Sequence, residues 1–252
     1  FDEFLFIQEK KKLNQTLKQL GYYYATVNAS IEDLGNNKVD LTYDINLGEK
    51  AKIKKITFIG NKIFKDRKLK SVIVSEEYKF WKFISGKKFL NQDIIEFDER
   101  LLKNFYLNNG YYNVKINSSF ARMLDNTSFE LIYNIDAKNK FYFNNIDLQI
   151  PKDFDKENFS PLYNLFNELK GEKYSINSVK KILDKIDIIT IQEEYKSLSS
   201  QVEETLDNDK INLLFIIEET EKFIVEKINI FGNNITQESV IRNQLEVDEG
   251  DI

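Results

Sequence analysis

One fifteen-residue pattern occurs three times in this sequence. Its copies, YDINLGEKAKIKKIT, YNIDAKNKFYFNNID and FIIEETEKFIVEKIN, begin at Tyr43, Tyr133 and Phe215 and are therefore 90 and 82 residues apart. Each copy places an aromatic residue, two isoleucines and a lysine at the same positions. This period is longer than that of the common solenoid repeats, so each copy has room to be a small domain. The sequence therefore predicts a tandem array of modules whose function lies on a repeated surface.

The composition excludes several classes of chemistry. The chain has 252 residues and a net charge of −5, and it contains neither cysteine nor histidine. Zinc sites built from these residues, thiol nucleophiles, histidine-assisted serine catalysis and disulfide bonds are therefore impossible. Binding to nucleic acid is disfavoured because it requires a basic face. No apolar stretch reaches the roughly 18–20 residues that span a bilayer.

Two short motifs that could suggest metal binding or catalysis lack the residues that such sites need. Residues 153–157 resemble the start of a calcium loop, but Asn158 and Asn164 stand where that loop requires Gly and Glu. The Ser-x-x-Lys sequences at Ser85 and Ser178 lack the further motifs of the enzymes that use them. We therefore predict no enzyme activity, no cofactor, no metal and no nucleic-acid partner.

The best-formed module occupies residues 50–138, where the hydrophobic period changes from that of a strand to that of a helix and back. The pattern predicts the order strand, helix, helix, strand, strand, with elements at 52–59, 66–74, 91–109, 113–120 and 128–136. Asn91 or Asp93 is expected to cap the second helix. The residues expected on its buried stripe are Ile94, Phe97, Leu101 and Phe105.

The remaining segments fit the same order in whole or in part. Residues 139–220 contain all five elements, whereas residues 1–49 supply only a helix, with Leu13, Leu17 and Leu20 inward, and two strands. Residues 221–252 supply a strand, a turn and a first helix. Because the chain opens at Phe1 inside a predicted helix, we expect it to be a piece of a longer protein. Glycine and asparagine tolerate positive φ, which predicts structural turns at Gly21, Gly60, Asn61, Gly110, Gly232 and Asn233.

Several of these turns lie in segments that resemble polypeptide-transport-associated (POTRA) domains. The similarity rests on ITFIGN at 56–61 and FYLNNGYY at 105–112, and both signatures recur as LKQLGYY at 17–23 and INIFGN at 228–233. The segment EYKFWKFISG at 77–86, followed by Phe89 and the helix of Asp98, looks like the third POTRA domain of outer-membrane β-barrel assembly factors. In the 139–220 unit, Ile150 and Pro151 stand in place of Gly-Asn, which departs from the family pattern.

The resemblance implies an α+β fold of tandem POTRA modules with the order β-α-α-β-β. Each module would be a three-stranded mixed sheet with two helices on one face. The implied modules are the C-terminal part of one domain at 1–49, complete domains of the third type at 50–138 and of the fourth type at 139–220, and the N-terminal part of a further domain at 221–252.

The resemblance also implies a non-catalytic array at the periplasmic face of the cell outer membrane. Such an array would bind unfolded outer-membrane polypeptides and dock accessory lipoproteins of the assembly complex. Its contact with the membrane would be made only through a C-terminal barrel that this fragment lacks. These expectations come from the family and not from composition or spacing.

An open sheet edge is the candidate binding site, because its unpaired N–H and C=O groups can accept an added strand. The resemblance assigns this role to the second strand of a module, whose residues here are Val114, Lys115, Ile116, Asn117 and Ser118, and Val27, Asn28 and Ala29 in the first segment. A second candidate is a group of aromatic residues in the insertion between the two predicted helices of the 50–138 module, namely Phe80, Trp81 and Phe83. These side chains would either fill the core of that module or its junction with a neighbour, or form an exposed partner site.

Three alternatives remain open at this point. A two-partner secretion pore or an organelle import pore would also carry POTRA domains but would serve one dedicated client. A cell-division scaffold is disfavoured by the presence of more than one module. A hydrolase would need a cleft of convergent carboxylates that the sequence does not indicate.

Overall fold

The computed structural model describes residues 2–36, 38–79, 86–193, 195, 198–220, 225–232, 237–245, 247 and 249–250. The chain divides into two compact units, one of residues 1–141 with 174–176 and one of residues 142–173 with 177–252. Among the described residues, no helix combines the length and the apolarity that a membrane-spanning segment requires.

The first unit opens with a capped helix and a strand pair. Helix α1 (Glu3–Gln19) begins at Asp2, whose carboxylate accepts the N–H groups of Phe4 and Leu5 at 2.9 and 3.1 Å. Strands β1 (Thr26–Gly35) and β2 (Lys38–Asn46) pair in antiparallel orientation. Leu17 is buried as predicted, but Leu20 is 53% exposed because the helix ends at Gln19 and the chain turns at Gly21.

The next five elements form a mixed three-stranded sheet with two helices between its first and second strands. They are β3 (Lys52–Asn61), α2 (Asp66–Lys70), α3 (Gln92–Leu107), β4 (Lys115–Met123) and β5 (Ser128–Asp136). The spatial order is β3-β5-β4, in which β5 is parallel to β3 and antiparallel to β4. Phe58 and Tyr133 stack in the core with ring centroids 5.5 Å apart.

The buried stripe of α3 differs from the prediction by one residue. Asn91 caps the helix by accepting the N–H of Ile94 at 3.0 Å, but the buried side chains are Ile95, Asp98, Leu102, Tyr106 and Leu107. Phe97 is 43% exposed. The prediction of the buried stripe was wrong because a buried carboxylate, Asp98, lies on the core-facing side of the helix, where an apolar residue is normally expected.

The second unit repeats the same order of elements. Its strands are β6 (Tyr142–Gln149), β7 (Leu198–Asp207) and β8 (Lys210–Glu219), and its helices are α4 (Ser160–Leu169) and α5 (Ile176–Gln192). The strand order is β6-β8-β7, with β8 parallel to β6 and antiparallel to β7. The core includes Leu162, Phe166, Val179, Ile182, Ile186 and Phe215. The predicted α+β class with small mixed sheets is therefore confirmed.

The described residues after 220 form less regular structure than the repeat pattern predicted. Residues 225–231 contain no strand, and the following helix, α6 (Glu238–Arg242), is five residues long. In the two complete sheets, the first strand pairs in parallel with the last strand of the same module. No described strand follows α6, so the segment at 225–231 has no such partner among the residues that the structure describes.

Gly60, at the end of β3, permits a close approach of two strands. Its φ is +85°, and a Cβ placed there would lie 2.4 Å from the carbonyl oxygen of Ile135 and 2.7 Å from Oδ1 of Asn134. Neither backbone conformation nor space therefore allows a side chain at this position.

We predict that Gly60→Ala lowers the free energy of unfolding by about 2–4 kcal/mol, because both the positive φ and the overlap with backbone must be relieved. Gly35→Ala is the matched control, since Gly35 also has a positive φ, but apart from its chain neighbours no described residue lies within 4 Å of the point that a Cβ would occupy. That variant should lose only about 1 kcal/mol. Urea unfolding checks both values, and equal losses would contradict this explanation.

The buried carboxylate of Glu130 joins the three strands of the β3-β5-β4 sheet. Glu130 of β5 is 2% exposed and accepts hydrogen bonds from Thr57 Oγ1 at 2.6 Å and Lys55 Nζ at 3.0 Å, as well as from Arg122. The hydrogen bond from Thr57 and those from the two cations lower the pKa of Glu130 to about 2. The charged form of Glu130 therefore stabilises the folded state.

We predict that the stability of the protein falls as pH drops from about 4.5 to about 2, because the unfolded chain binds the Glu130 proton more tightly than the folded chain does. Above pH 4.5 this contribution is complete. Glu130→Gln should be less stable at neutral pH and should lose less stability on acidification. Urea unfolding across this pH range tests the difference, and parallel acid profiles would contradict it.

Candidate polypeptide-binding edge

The edge of β3 that does not pair with β5 is covered by another segment of the same chain. The backbone N–H of Tyr78 donates to the carbonyl of Ile53 at 2.6 Å, and Leu90 donates to Ala51 at 2.8 Å. The N–H of Ile56 donates to the Glu77 carboxylate at 3.0 Å. We name residues 75–79 and 87–90 the edge strap. Because the strap satisfies these β3 groups, the edge of β3 is closed to an added strand along this stretch.

A buried carboxylate fixes the start of the edge strap. Asp98 of α3 is fully buried and accepts the N–H of Val74 at 2.5 Å and that of Ser75 at 3.2 Å. Its Oδ2 also accepts the hydroxyl of Tyr133 at 2.8 Å. Burial raises the pKa of Tyr133 above its usual range, and the charge of Asp98 raises it further, so the phenol remains a donor. The carboxylate thus links helix, central strand and strap.

An ion pair lies at the middle of the strap. Glu77 accepts Lys70 Nζ at 2.5 Å in addition to the N–H of Ile56. Burial opposes ionisation of Glu77, but the hydrogen bonds from Lys70 and Ile56 outweigh it and lower the pKa of this carboxyl. The side chain therefore stays charged at neutral pH and continues to cap the β3 edge.

The edge of β4 has no comparable cover among the described residues, because β4 pairs only with β5. The N–H of Leu124 donates to the carbonyl of Ser128 at 2.8 Å, which fixes the direction of the backbone groups in the adjoining strand. Since these groups alternate along an antiparallel strand, the N–H groups of Ser119, Ala121 and Met123 face away from β5. Together with the carbonyl groups of the same three residues, they form a row of donors and acceptors without a strand partner among the described residues.

The predicted edge residues fall on the irregular start of this strand. Val114 precedes β4 and is 6% exposed, so it belongs to the core rather than to a contact surface. Lys115, Ile116, Asn117 and Ser118 lie in β4, but two residues of β4 oppose one of β5 between Ile116 and Ser118. This β-bulge at Asn117 ends the regular register. The regular free edge therefore runs from Ser118 to Met123.

The other predicted edge lies in the strand pair of the first segment. Val27, Asn28 and Ala29 belong to β1, where Val27 is 5% exposed, Asn28 is exposed and Ala29 is half-buried. Within the described residues, β1 and β2 form a two-stranded sheet, so each strand has one partner only. The structure leaves the binding role of both predicted edges as a prediction.

A third edge was missing from the sequence-based candidates. In the second unit, β7 pairs only with β8 among the described residues, in an unbroken register from Leu198 opposite Glu219 to Asp207 opposite Lys210. The strand was predicted near Gln201, and its position in the repeat is that of β4. That equivalence was the signal that could have identified it.

The predicted turns have a second role at two glycines of the first unit. Gly21 and Gly110 have φ of +93° and +94°, and their carbonyls accept the N–H groups of Ala51 and Phe141 at 2.8 Å each. Gly60 and Gly232 also have positive φ, whereas Asn61 is the last residue of β3. Asn233, Phe80, Trp81 and Phe83 lie outside the described residues.

The repeated lysine at the start of a module contacts aromatic rings. Lys50 Nζ lies 4.8 Å from the ring centroid of Tyr22 and 5.4 Å from that of Phe89. A cation over an aromatic face is favourable, so Lys50 links Tyr22, which precedes β1, to Phe89 of the edge strap. In the described part of the chain, no group of three or more acidic side chains is arranged to hold a metal ion.

We predict that Asp98→Ala releases the edge strap, because the half-buried N–H of Val74 and the buried N–H of Ser75 lose their acceptor, at about 1–3 kcal/mol each. Hydrogen exchange at the N–H of Tyr78 should accelerate strongly. Tyr133→Phe is the control, since it removes one hydrogen bond to Asp98 but leaves the strap bonds. Equal exchange at Tyr78 in both variants would show that Asp98 does not hold the strap.

A protein-family model matches the part of the chain that resembles POTRA domains. The model, described as POTRA, surface antigen variable number repeat, matches residues 1–48 and 51–138, which together exceed half of the chain. The solved structure of POTRA domains 3–5 of BamA from Haemophilus influenzae has a TM-score of 0.61 and 17% identity. The match covers 80% of this chain and 79% of that chain, and it shows a shared fold.

Two curated relatives are outer membrane protein assembly factors named BamA. That of Buchnera aphidicola is 28% identical over 85% of this chain and 35% of its own length, and that of Neisseria meningitidis is 24% identical over 87% and 28%. The chain thus spans about a third of the length of these relatives. The repeated order of elements, the mixed three-stranded sheets and the family match lead to one conclusion: this chain belongs to the POTRA family.

Proposed function

We propose that this chain is part of the periplasmic polypeptide-binding array of an outer-membrane β-barrel assembly factor. The array would bind unfolded outer-membrane polypeptides by strand addition and would dock accessory lipoproteins. Its units would be the four modules predicted from the sequence, at 1–49, 50–138, 139–220 and 221–252. Similarity to the BamA relatives supports the assembly role, and the open sheet edges support the binding mode.

This proposal rests on the difference between the two edges of the β3-β5-β4 sheet. The edge strap satisfies outward groups of β3 at Ile53 and Ile56, and the carbonyl of Ala51 just before the strand. On the opposite side, the regular stretch Ser118–Met123 keeps its outward backbone groups free of any described strand. A client that adds a strand to this sheet is therefore directed to β4.

Backbone recognition suits a receptor that serves many clients, because main-chain hydrogen bonds do not depend on side chains. About five such bonds at about 0.5–1.5 kcal/mol each contribute several kcal/mol. Association itself costs about 4–15 kcal/mol. One edge alone should thus bind in the micromolar to millimolar range, and β1, β4 and β7 in one chain would raise the effective concentration for a long client.

We predict that Ala121→Pro weakens binding of a client strand about 2- to 10-fold, because it removes one outward N–H while the bonds to β5 remain. The probe is a fluorescein-labelled peptide of about twelve residues in which polar and apolar residues alternate, as they do in the strands of membrane β-barrels. Fluorescence anisotropy with the whole 252-residue chain measures the affinity.

Ala121→Val is the control for this experiment, because it changes the side chain but keeps the N–H. It should bind the peptide as the original chain does. Thermal unfolding of both variants verifies that β4 still pairs with β5. No measurable binding by the original chain, or equal binding by the proline and valine variants, would refute strand addition at β4.

A further inference from the structure

A groove continues the free edge of β4 toward its N-terminal end. It has a volume of about 470 Å³ and lies between α3, which contributes Glu99, Arg100 and Lys103, and residues 114–117. The regular edge ends at the Asn117 bulge, so a strand paired with Ser118–Met123 meets the groove where its regular pairing stops. The next residues of that client would enter the groove.

The groove is basic, although the chain as a whole has a net charge of −5. Arg100, Lys103 and Lys115 are exposed cations on its wall, and Glu99 is the half-buried carboxylate among the lining residues. None of the three cations forms an ion pair in the part of the chain that the structure describes. Salt screens charges beyond about 8 Å at physiological ionic strength, so these local cations outweigh the distant negative charge.

The neighbouring groups keep this basic character in place. The guanidinium of Arg100 lies 5.6 Å from the ring centroid of Phe97, which holds it on the exposed side of α3. Lys115 lies opposite Asp136 of β5, which forms its ion pair with Lys138. The hydrogen bond from Lys138 and, as a smaller cause, the charge of Lys115 lower the pKa of Asp136. The cations that line the groove thus remain available to a ligand.

We propose that this groove selects client segments that carry acidic side chains. This inference rests on the proposed strand addition at β4 and specifies its substrate class. The occupant is an extended polypeptide with Asp or Glu at two positions that are two residues apart. Side chains at positions i and i+2 of a strand lie on the same face, so both carboxylates would point toward Arg100 and Lys103 of α3.

The test compares two labelled peptides that differ only at these two positions, with Glu in one and Lys in the other. Both share the segment that pairs with Ser118–Met123. With the whole chain at about 50 mM salt, the Glu peptide should bind about 2- to 30-fold more tightly, since exposed ion pairs contribute modestly. The preference should shrink at higher salt. A third peptide with both Glu residues moved by one position should lose the preference.

Charge reversal identifies the residues responsible. The double variant Arg100→Glu with Lys103→Glu should invert the preference, so that the Lys peptide binds more tightly. The matched control is Lys11→Glu with Lys12→Glu, which changes the net charge equally on the exposed surface of α1 and should leave the preference unchanged.

The outcomes separate this inference from the proposed function. Equal binding of the Glu and Lys peptides, with both weakened by Ala121→Pro, would overturn the acidic selection and leave strand addition intact. A preference that persists in the groove double variant would also overturn it. Absence of binding by every peptide would overturn both proposals.

Discussion

In the β3-β5-β4 sheet, the strongest constraint is that the backbone groups of the two outer strands need hydrogen-bond partners. A three-stranded sheet has two edges, and buried or partly buried N–H and C=O groups need partners. Here the chain uses residues 75–79 and 87–90 to satisfy β3 and leaves β4 uncovered among the described residues. Which edge is open is thus decided by a loop and not by the strands themselves.

Asp98 is the residue on which this arrangement depends. A fully buried carboxylate is costly unless hydrogen bonds compensate for its lost hydration, and Asp98 has donors from Val74, Ser75 and Tyr133. These donors come from the strap and from the central strand. The same group that costs stability if unpaired therefore joins the helix layer, the sheet and the edge cover into one structure.

The repeated fifteen-residue pattern predicted much of the fold because its second and third copies begin in the central strands β5 and β8, where the hydrophobic period and burial agree. Tyr133 and Ile135, which belong to the second copy of the pattern, are both buried. The same reasoning failed at α3, where Asp98 interrupts the apolar stripe, and at residues 225–231, where strand formation depends on a distant partner. It could not locate the edge strap or the Asn117 bulge, because both are set by tertiary pairing rather than by local pattern.

Residue-resolved hydrogen exchange, with and without a saturating client peptide, tests the central claim most directly. In the free protein the N–H groups of Ser119, Ala121 and Met123 should exchange faster than the strap-bound N–H of Ile56. Addition of the peptide should protect the three β4 groups and leave Ile56 unchanged. Protection at Ile56, or no protection along β4, would contradict the assignment of β4 as the open edge.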